Sequence, residues 1–306
     1  MGISQYLKDI GRGARGAKAL TRAQAADLLG QILDGQVTDL EIGAFCLAMR
    51  MKGETAHEMC GFLDAAVTRM AQMPNSHRPL VILPSYNGAR KLPVLTPLLA
   101  LLLAREGLPV LLHGMRTEAR RVLASDVLHA LGIAALTQPQ AIAPGNVAHI
   151  HTQALLPGLA RLLAAREVIG LRNPGHSVAK LLIPCAEPAL LVTSYTHPEY
   201  FSMLCDTFTA RGMHVLLSRG LEGEVAADPR RTPRYDAFIA GQSQVLQEQE
   251  AGTARTVVGL PNAIDVETTA RWTDQVLQGR LPLPEGLAQQ VRHIVTVYHQ
   301  IPEADA

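Results

Sequence analysis

Three groups of residues in this chain have the types and spacing to hold anions or serve catalysis. The first is basic: Lys8, Arg12, Arg15, Lys18 and Arg22 follow one another at helical intervals, with only Asp9 opposing them. On a single helix they would form a stripe that tracks phosphates. Gly11, Gly13 and Gly16 each cost a helix on the order of 1 kcal/mol relative to alanine, so a flexible arm, or plain solvated surface charge, is the competing reading. The second group pairs Arg90 and Lys91 with Arg116, Arg120 and Arg121, in two segments that each follow a short apolar run. Segments leaving parallel strands share one carboxyl edge, where ligands gather, and five cations there suit phosphodiesters. Exposed arginines paired with Glu118 or Asp126, at ~0 to 1 kcal/mol per pair, are the alternative. The third group is the run RNPGHSVAK, which sets Arg172, Asn173, His176 and Lys180 around a Pro-Gly turn. There His176 either belongs to a catalytic constellation or caps the start of a helix.

Other candidates carry less. His149 and His151 would share one face of a strand, but neither a cysteine nor a third histidine completes a set, so packing or hydrogen bonding is expected and no metal. Cys46, Cys60, Cys185 and Cys205 show no C-x-x-C spacing and lie in apolar segments, as reduced core thiols do. Aromatic residues make up 4% of the chain, too few for an extended base-stacking platform, and any polymer contact would rest on backbone electrostatics. Tyr86, Tyr195 and Tyr200 could stack near loops or pack with their hydroxyls satisfied.

These residues must be positioned by a fold that the rest of the sequence describes. With 306 residues, 48% of them hydrophobic, the chain has material for a large core. Apolar runs such as Leu98 to Ala104 fall short of the ~20 residues a bilayer crossing needs, and no signal-peptide core follows the N-terminus, so a soluble, unexported, cytoplasmic protein is expected. The formal net charge of +1 does not by itself advertise a polyanion partner, although a balanced total can hide a one-sided distribution. Thr21 with Gln24, Thr38 with Glu41, and Thr55 with Glu58 have capping-box spacing, each ahead of apolar residues at helical intervals. They predict three helices and a helical domain over residues 1–76. From Pro79 short apolar runs alternate with helix-length segments. Strands are expected at Leu80 to Leu83, Pro109 to Leu112, Ala148 to His151, Ala189 to Thr193 and Met213 to Ser218, and C-terminal helices at Asp265 to Leu277 and Glu285 to His299. That alternation predicts βαβ crossovers, a mainly parallel sheet and an α/β domain over residues 77–306. Glu222 to Thr256 is polar and loop-rich.

The stretch from Leu20 to Ala65, the block His113-Gly114-Met115 with Ala124 to Ile133, and Gly170-Leu171-Arg172 together resemble the anthranilate and nucleoside phosphoribosyltransferases of the glycosyltransferase family 3 type. The resemblance implies a small N-terminal helical domain that mediates dimerisation, joined to a larger α/β domain with a cleft between them. In that family a glycine-rich turn after the first strand brings backbone amides to the pyrophosphate of phosphoribosyl pyrophosphate. Matched residue to residue, it falls on Pro84, Ser85, Tyr86, Asn87 and Gly88, with proline and tyrosine where glycines would stand, so a conventional phosphate nest is not expected. The family's Asn-x-Ser-Thr helix start falls on Val94, Leu95, Thr96 and Pro97. Its serine-rich, lysine-containing loop falls on Arg116 through Leu123, where charge is kept and hydroxyls are lost. Its adjacent Asp-Glu magnesium pair becomes Glu222 and Glu224, separated by Gly223.

PSYNGARK followed by LTPLLA, with RNPGHS, THPEY and EGEV, resembles the YbiB-type branch of that family, which implies a homodimer binding nucleic acid without marked sequence preference. The resulting expectation is a DNA-binding protein, not an active anthranilate phosphoribosyltransferase and without a cofactor. Its phosphate contacts would be Lys8, Arg12, Arg15, Lys18, Arg90, Lys91, Arg116, Arg120 and Arg121. The alternative is a transferase moving phosphoribosyl from its pyrophosphate to an aromatic acceptor. Substrates would then be held by Ser85, Asn87, Gly88, His113, Arg121, Arg172, Asn173 and His176, and magnesium by Glu222 and Glu224. A purely structural or regulatory dimer is a third reading.

Overall fold

The computed structural model describes residues 2–13, 15–74, 76, 78–186, 188–253 and 257–302. The chain opens with four helices, α1 (Ser4–Ile10), α2 (Arg22–Leu33), α3 (Asp39–Lys52) and α4 (Ala56–Val67). Thr21, Thr38 and Thr55 each close a capping box with the residue three positions on, and so satisfy amides that a helix start leaves unpaired. Each such cap stabilises its helix by about 1 kcal/mol. Helices α2 and α4 approach at Gly61, where a Cβ would lie 2.2 Å from the Arg22 carbonyl oxygen.

An α/β layer follows, built in chain order from β1 (Leu80–Pro84), α5 (Thr96–Arg105), β2 (Val110–Gly114), α6 (Ala124–Ala130), β3 (Ala135–Leu136) and β4 (Val147–His151). It continues with α7 (Thr152–Leu155), α8 (Pro157–Ile169), α9 (Pro174–Ala179), β5 (Ala189–Tyr195), α10 (Glu199–Ala210) and β6 (His214–Arg219). It ends with β7 (Tyr235–Ile239), β8 (Gln242–Gln247), α11 (Val266–Leu277) and α12 (Glu285–Tyr298). The strands form one sheet in the order β3-β4-β2-β1-β5-β6-β7-β8, parallel from β3 to β6 and antiparallel at β7 and β8.

Alternate residues of the central strands feed two cores. Ile82, Leu111 and Leu191 face the core shared with α2, α3, α4, α8, α9 and α10, while Val81, Leu83, Val110, Leu112, Leu190 and Val192 face the core shared with α5, α6, α11 and α12. Burial on both faces explains why these strands are continuous apolar runs, each large side chain contributing roughly 1.5–3 kcal/mol. Among the described residues no helix is long and apolar enough to cross a membrane.

Two local readings of the sequence change. The segment from Glu222 onward is not loop throughout: β7 and β8 form a hairpin inside it, turning at Ala240 and Gly241, both at positive φ (48° and 79°). This is the backbone of a type I′ turn, and alanine in place of the usual asparagine or aspartate hides the signal. The basic N-terminus is neither one long helix nor a free arm. Helix α1 ends at Ile10, with Ile3, Tyr6 and Ile10 buried in the helical core.

Candidate functional site

Chain order in the sheet reverses at β1, with β2 on one side and β5 on the other, and a crevice outside the carboxyl ends of such strands is where α/β sheets bind ligands. A cavity of about 590 Å³ lies there. Its walls come from the end of α3 (Arg50, Glu54), from the α9 segment (Arg172, His176, Lys180) and from the ends of β5 and β6 (Ser194, Arg219). Arg90, Lys91, Arg121 and Glu222 complete the rim from the loops after β1, β2 and β6.

The turn after β1 is an anion cradle. The amides of Asn87 and Gly88 donate to one oxygen of the Glu224 carboxylate at 3.1 and 2.8 Å, and the hydroxyls of Ser85 and Thr96 donate to the other at 2.7 and 2.8 Å. Gly88, at φ 62°, allows the approach: a Cβ there would meet the Val122 carbonyl oxygen at 2.7 Å. Ala89 and Val122 exchange backbone hydrogen bonds, which ties the loop after β1 to the loop after β2. Gly114 is equally constrained, since a Cβ would lie 1.9 Å from the Ser85 carbonyl oxygen. The sequence-based expectation that no anion nest forms at Pro84 to Gly88 is therefore corrected. Amides and hydroxyls converge on an oxyanion in spite of Pro84 and Tyr86.

Glu222, two residues before Glu224, accepts from the amides of Arg90 and Lys91 at 3.0 and 2.9 Å and pairs with the guanidinium groups of Arg121 at 3.2 Å and Arg90 at 3.4 Å. Its φ of 56° is unusual for a residue with a side chain, and strain of this kind persists only where the surroundings hold it. Together the two glutamates pin the 222–224 turn across both loops.

Tyr86 and His113 are buried and structural. The Leu182 carbonyl can only accept, so His113 Nε2 carries the proton, and Nδ1 accepts from the Tyr86 hydroxyl at 2.9 Å, which in turn accepts from Thr152. Burial drives the His113 pKa down to about 3, leaving a neutral imidazole. His113 does not line the cavity.

The α9 wall is the opposite case, rich in donors without acceptors. Asn173 caps α9; its amide, carbonyl and Oδ1 all lie 3.3 Å from His176 Nδ1, while Nε2 has no hydrogen-bond partner among the described residues. The buried Ser194 hydroxyl has none either. Neither Arg172 nor Lys180 forms a side-chain hydrogen bond or ion pair with a described residue. Burial, with Arg166 and Arg121 nearby, lowers Arg172 to about 10, and burial with Arg172 lowers Lys180 to about 8. Burial, with Arg172, Arg166 and Lys180 nearby, lowers His176 to about 3.

The remaining predicted positions scatter. Lys8 is on α1, while Arg12, Arg15 and Lys18 lie beyond its end and Arg22 opens α2, paired with Asp64; no continuous basic stripe forms. Arg116 pairs with Asp126, Arg121 with Glu118 and Glu222, and Arg120 is exposed. His149 and His151 stack edge to face, and among the described residues no group of three or more metal-ligating side chains occurs. Sequence reasoning missed Ser194, Arg50 and Arg219, which carry no motif, and discounted Thr96, whose position at a helix start was the available signal.

The helical bundle domain of the glycosyl transferase family matches residues 4–70. YbiB from Escherichia coli (strain K12) is 39% identical over 298 residues, covering 95% of this chain and 92% of that protein. Among solved structures, anthranilate phosphoribosyltransferase from Thermus thermophilus superposes with a TM-score of 0.75 at 20% identity, covering 97% of this chain and 88% of that one. The Saccharomyces cerevisiae anthranilate phosphoribosyltransferase in complex with PRPP and Mg superposes with a TM-score of 0.71 at 13% identity, covering 98% and 89%.

These findings correct three expectations. The inactive scaffold was inferred from a lost phosphate turn, yet Ser85, Asn87, Gly88 and Thr96 converge four donors on one carboxylate, in a chain that superposes on solved anthranilate phosphoribosyltransferases. The absence of a cofactor rested on the same loss, whereas a solved protein of this fold holds PRPP and Mg. The nucleic-acid partner needed a shared cationic track, but most loop cations named for it are paired, and the unpaired Arg172 and Lys180 line a cavity of small-molecule size. The chain belongs to the glycosyltransferase family 3 proteins of anthranilate phosphoribosyltransferase fold and is related by sequence to YbiB.

Proposed function

We propose that this protein is a phosphoribosyltransferase, taking phosphoribosyl from its pyrophosphate to an aromatic acceptor in the cavity outside β1, β5 and β6. One observation carries the reading: two amides and two hydroxyls near the end of β1 already seat an oxyanion, the Glu224 carboxylate, two residues along the chain from Glu222 at the cavity rim. Converging backbone amides at a strand end bind phosphate for the same reason they bind carboxylate.

The donor set suits magnesium as well. Magnesium takes one or two carboxylates and completes its octahedron with substrate phosphates and water, so a dedicated cage of three or more protein ligands is not required. Glu222 and Glu224 are the residues that would hold it, and when bound it neutralises charge on the leaving diphosphate. A phosphate oxygen seated there would take over the hydrogen bonds that Asn87, Gly88, Ser85 and Thr96 give the Glu224 carboxylate, one anion in place of another. Arg90, Lys91 and Arg121 stand at the same rim to stabilise developing negative charge, while Arg172 orients an acidic acceptor. Catalysis on this plan is orientation plus electrostatics.

Calorimetric titration of phosphoribosyl pyrophosphate, with and without magnesium, tests the reading. Metal-dependent binding that Thr96→Val weakens is expected; no binding with magnesium present refutes it.

A further inference from the structure

The α9 wall carries more donors than a carboxylate uses. A carboxylate is planar and is satisfied by one arginine in a two-pronged pair. Here Arg172 and the Lys180 ammonium line the same cavity as the His176 ring and the Ser194 hydroxyl; His176 Nε2 and Ser194 Oγ have no hydrogen-bond partner among the described residues, and Lys180 also feels the attraction of Glu224. All four line one cavity, where Arg172 and Lys180 each lower the His176 pKa and Arg172 lowers that of Lys180. Thr193 fastens the group by donating to the Lys180 carbonyl at 3.2 Å, which ties the end of β5 to the end of α9. Leaving a buried donor unmade costs roughly 1–3 kcal/mol, so the buried His176 and Ser194, with two cations lining the same cavity, favour an occupant that carries several acceptor oxygens. The cradle after β1 does not supply that anion, because its four donors are all directed at Glu224.

We propose that Arg172, His176, Lys180 and Ser194 form a phosphate site on the acceptor side of the cavity, and that the acceptor carries a phosphate group. A tetrahedral phosphate presents three terminal oxygens in three directions, which a mixed set of guanidinium, ammonium, imidazole and hydroxyl suits better than it suits a planar carboxylate. The inference rests on the transferase reading only in assigning that phosphate to the acceptor; the site itself stands on the unpartnered donors.

Inorganic phosphate is the probe, titrated calorimetrically into the full chain and into Lys180→Met, Lys180→Arg and Thr96→Val. Lys180→Met should weaken phosphate binding roughly 10- to 100-fold, the worth of one charge-assisted hydrogen bond, and Lys180→Arg should restore most of it. Thr96→Val, which alters only the cradle, should leave it within about twofold. Weakening by Thr96→Val with Lys180→Met unaffected overturns the proposal, because phosphate then sits after β1. So does the absence of binding to the parent chain at millimolar phosphate. A competition arm separates the two possible sources. If phosphate and magnesium phosphoribosyl pyrophosphate bind together, the acceptor-side assignment stands; if they exclude one another, the site serves the donor and the assignment fails. Binding of magnesium phosphoribosyl pyrophosphate to Lys180→Met reports on the transferase reading separately.

Discussion

Replacing Glu224 by glutamine tests whether a protein carboxylate occupies the anion cradle. The carboxylate accepts two amide and two hydroxyl hydrogen bonds and is buried, so solvent screening takes little away. Bonds to a charged acceptor are worth about 1.5–3 kcal/mol each and neutral ones about 0.5–1.5. Glutamine keeps one acceptor oxygen for the amides of Asn87 and Gly88 and turns an NH2 toward Ser85 and Thr96, whose hydroxyls must rotate to accept. Four bonds that each lose about 1–1.5 kcal/mol amount to about 4–6 kcal/mol. Unfolding entropy near 2.1 cal/mol/K per residue gives a chain of 306 residues about 0.6 kcal/mol per degree, so the melting temperature of Glu224→Gln should fall by roughly 6–9 °C. Pyrophosphate without magnesium separates this from generic damage. It stabilises whatever binds it, by about 2.7 kcal/mol at a hundred times its dissociation constant, and it must displace a charged carboxylate in the parent but only an amide in the variant. Differential scanning calorimetry with and without pyrophosphate should therefore show the larger upward shift in Glu224→Gln. A variant melting within about 1 °C of the parent, or a larger pyrophosphate shift in the parent, refutes the reasoning.

Tyr86→Phe removes both the donor to His113 Nδ1 and the acceptor of Thr152, and should cost about 1–3 kcal/mol in urea unfolding; a neutral result breaks the proposed hydrogen-bond chain. Stability should also fall in mild acid. The unfolded chain protonates His113 near 6.5, whereas burial holds the folded imidazole neutral down to about 3, so this contribution is complete above pH 6.5 and is lost progressively as pH falls through that window. About 2 kcal/mol should disappear between pH 6.5 and about 5 from His113 alone, and equal unfolding midpoints at both values would contradict a buried neutral ring.

Much of the architecture was legible because local chemistry dictates it. Capping boxes at Thr21, Thr38 and Thr55 favour helix starts locally, and short apolar runs at residues 80–83, 109–112 and 189–193, alternating with helix-length segments, fit strands covered on both faces. The hairpin of β7 and β8 escaped because Ala240 adopts a left-handed conformation that only its surroundings justify. The site was misjudged for a related reason. Comparing residue types along the turn from Pro84 to Gly88 counts lost glycines, but a nest is made by where amides point, and Gly88 with the Ala89–Val122 bridge sets that direction. That Glu224 reaches Ser85 and Thr96 across more than a hundred residues, that Tyr86 fills space beside His113, and that Arg172, Lys180 and Ser194 face one cavity are consequences of the β1–β5–β6 neighbourhood. Helix starts and strand faces depend on nearest neighbours in the chain and are written there. The meeting of charges depends on which strand ends lie side by side, and only the folded sheet decides that.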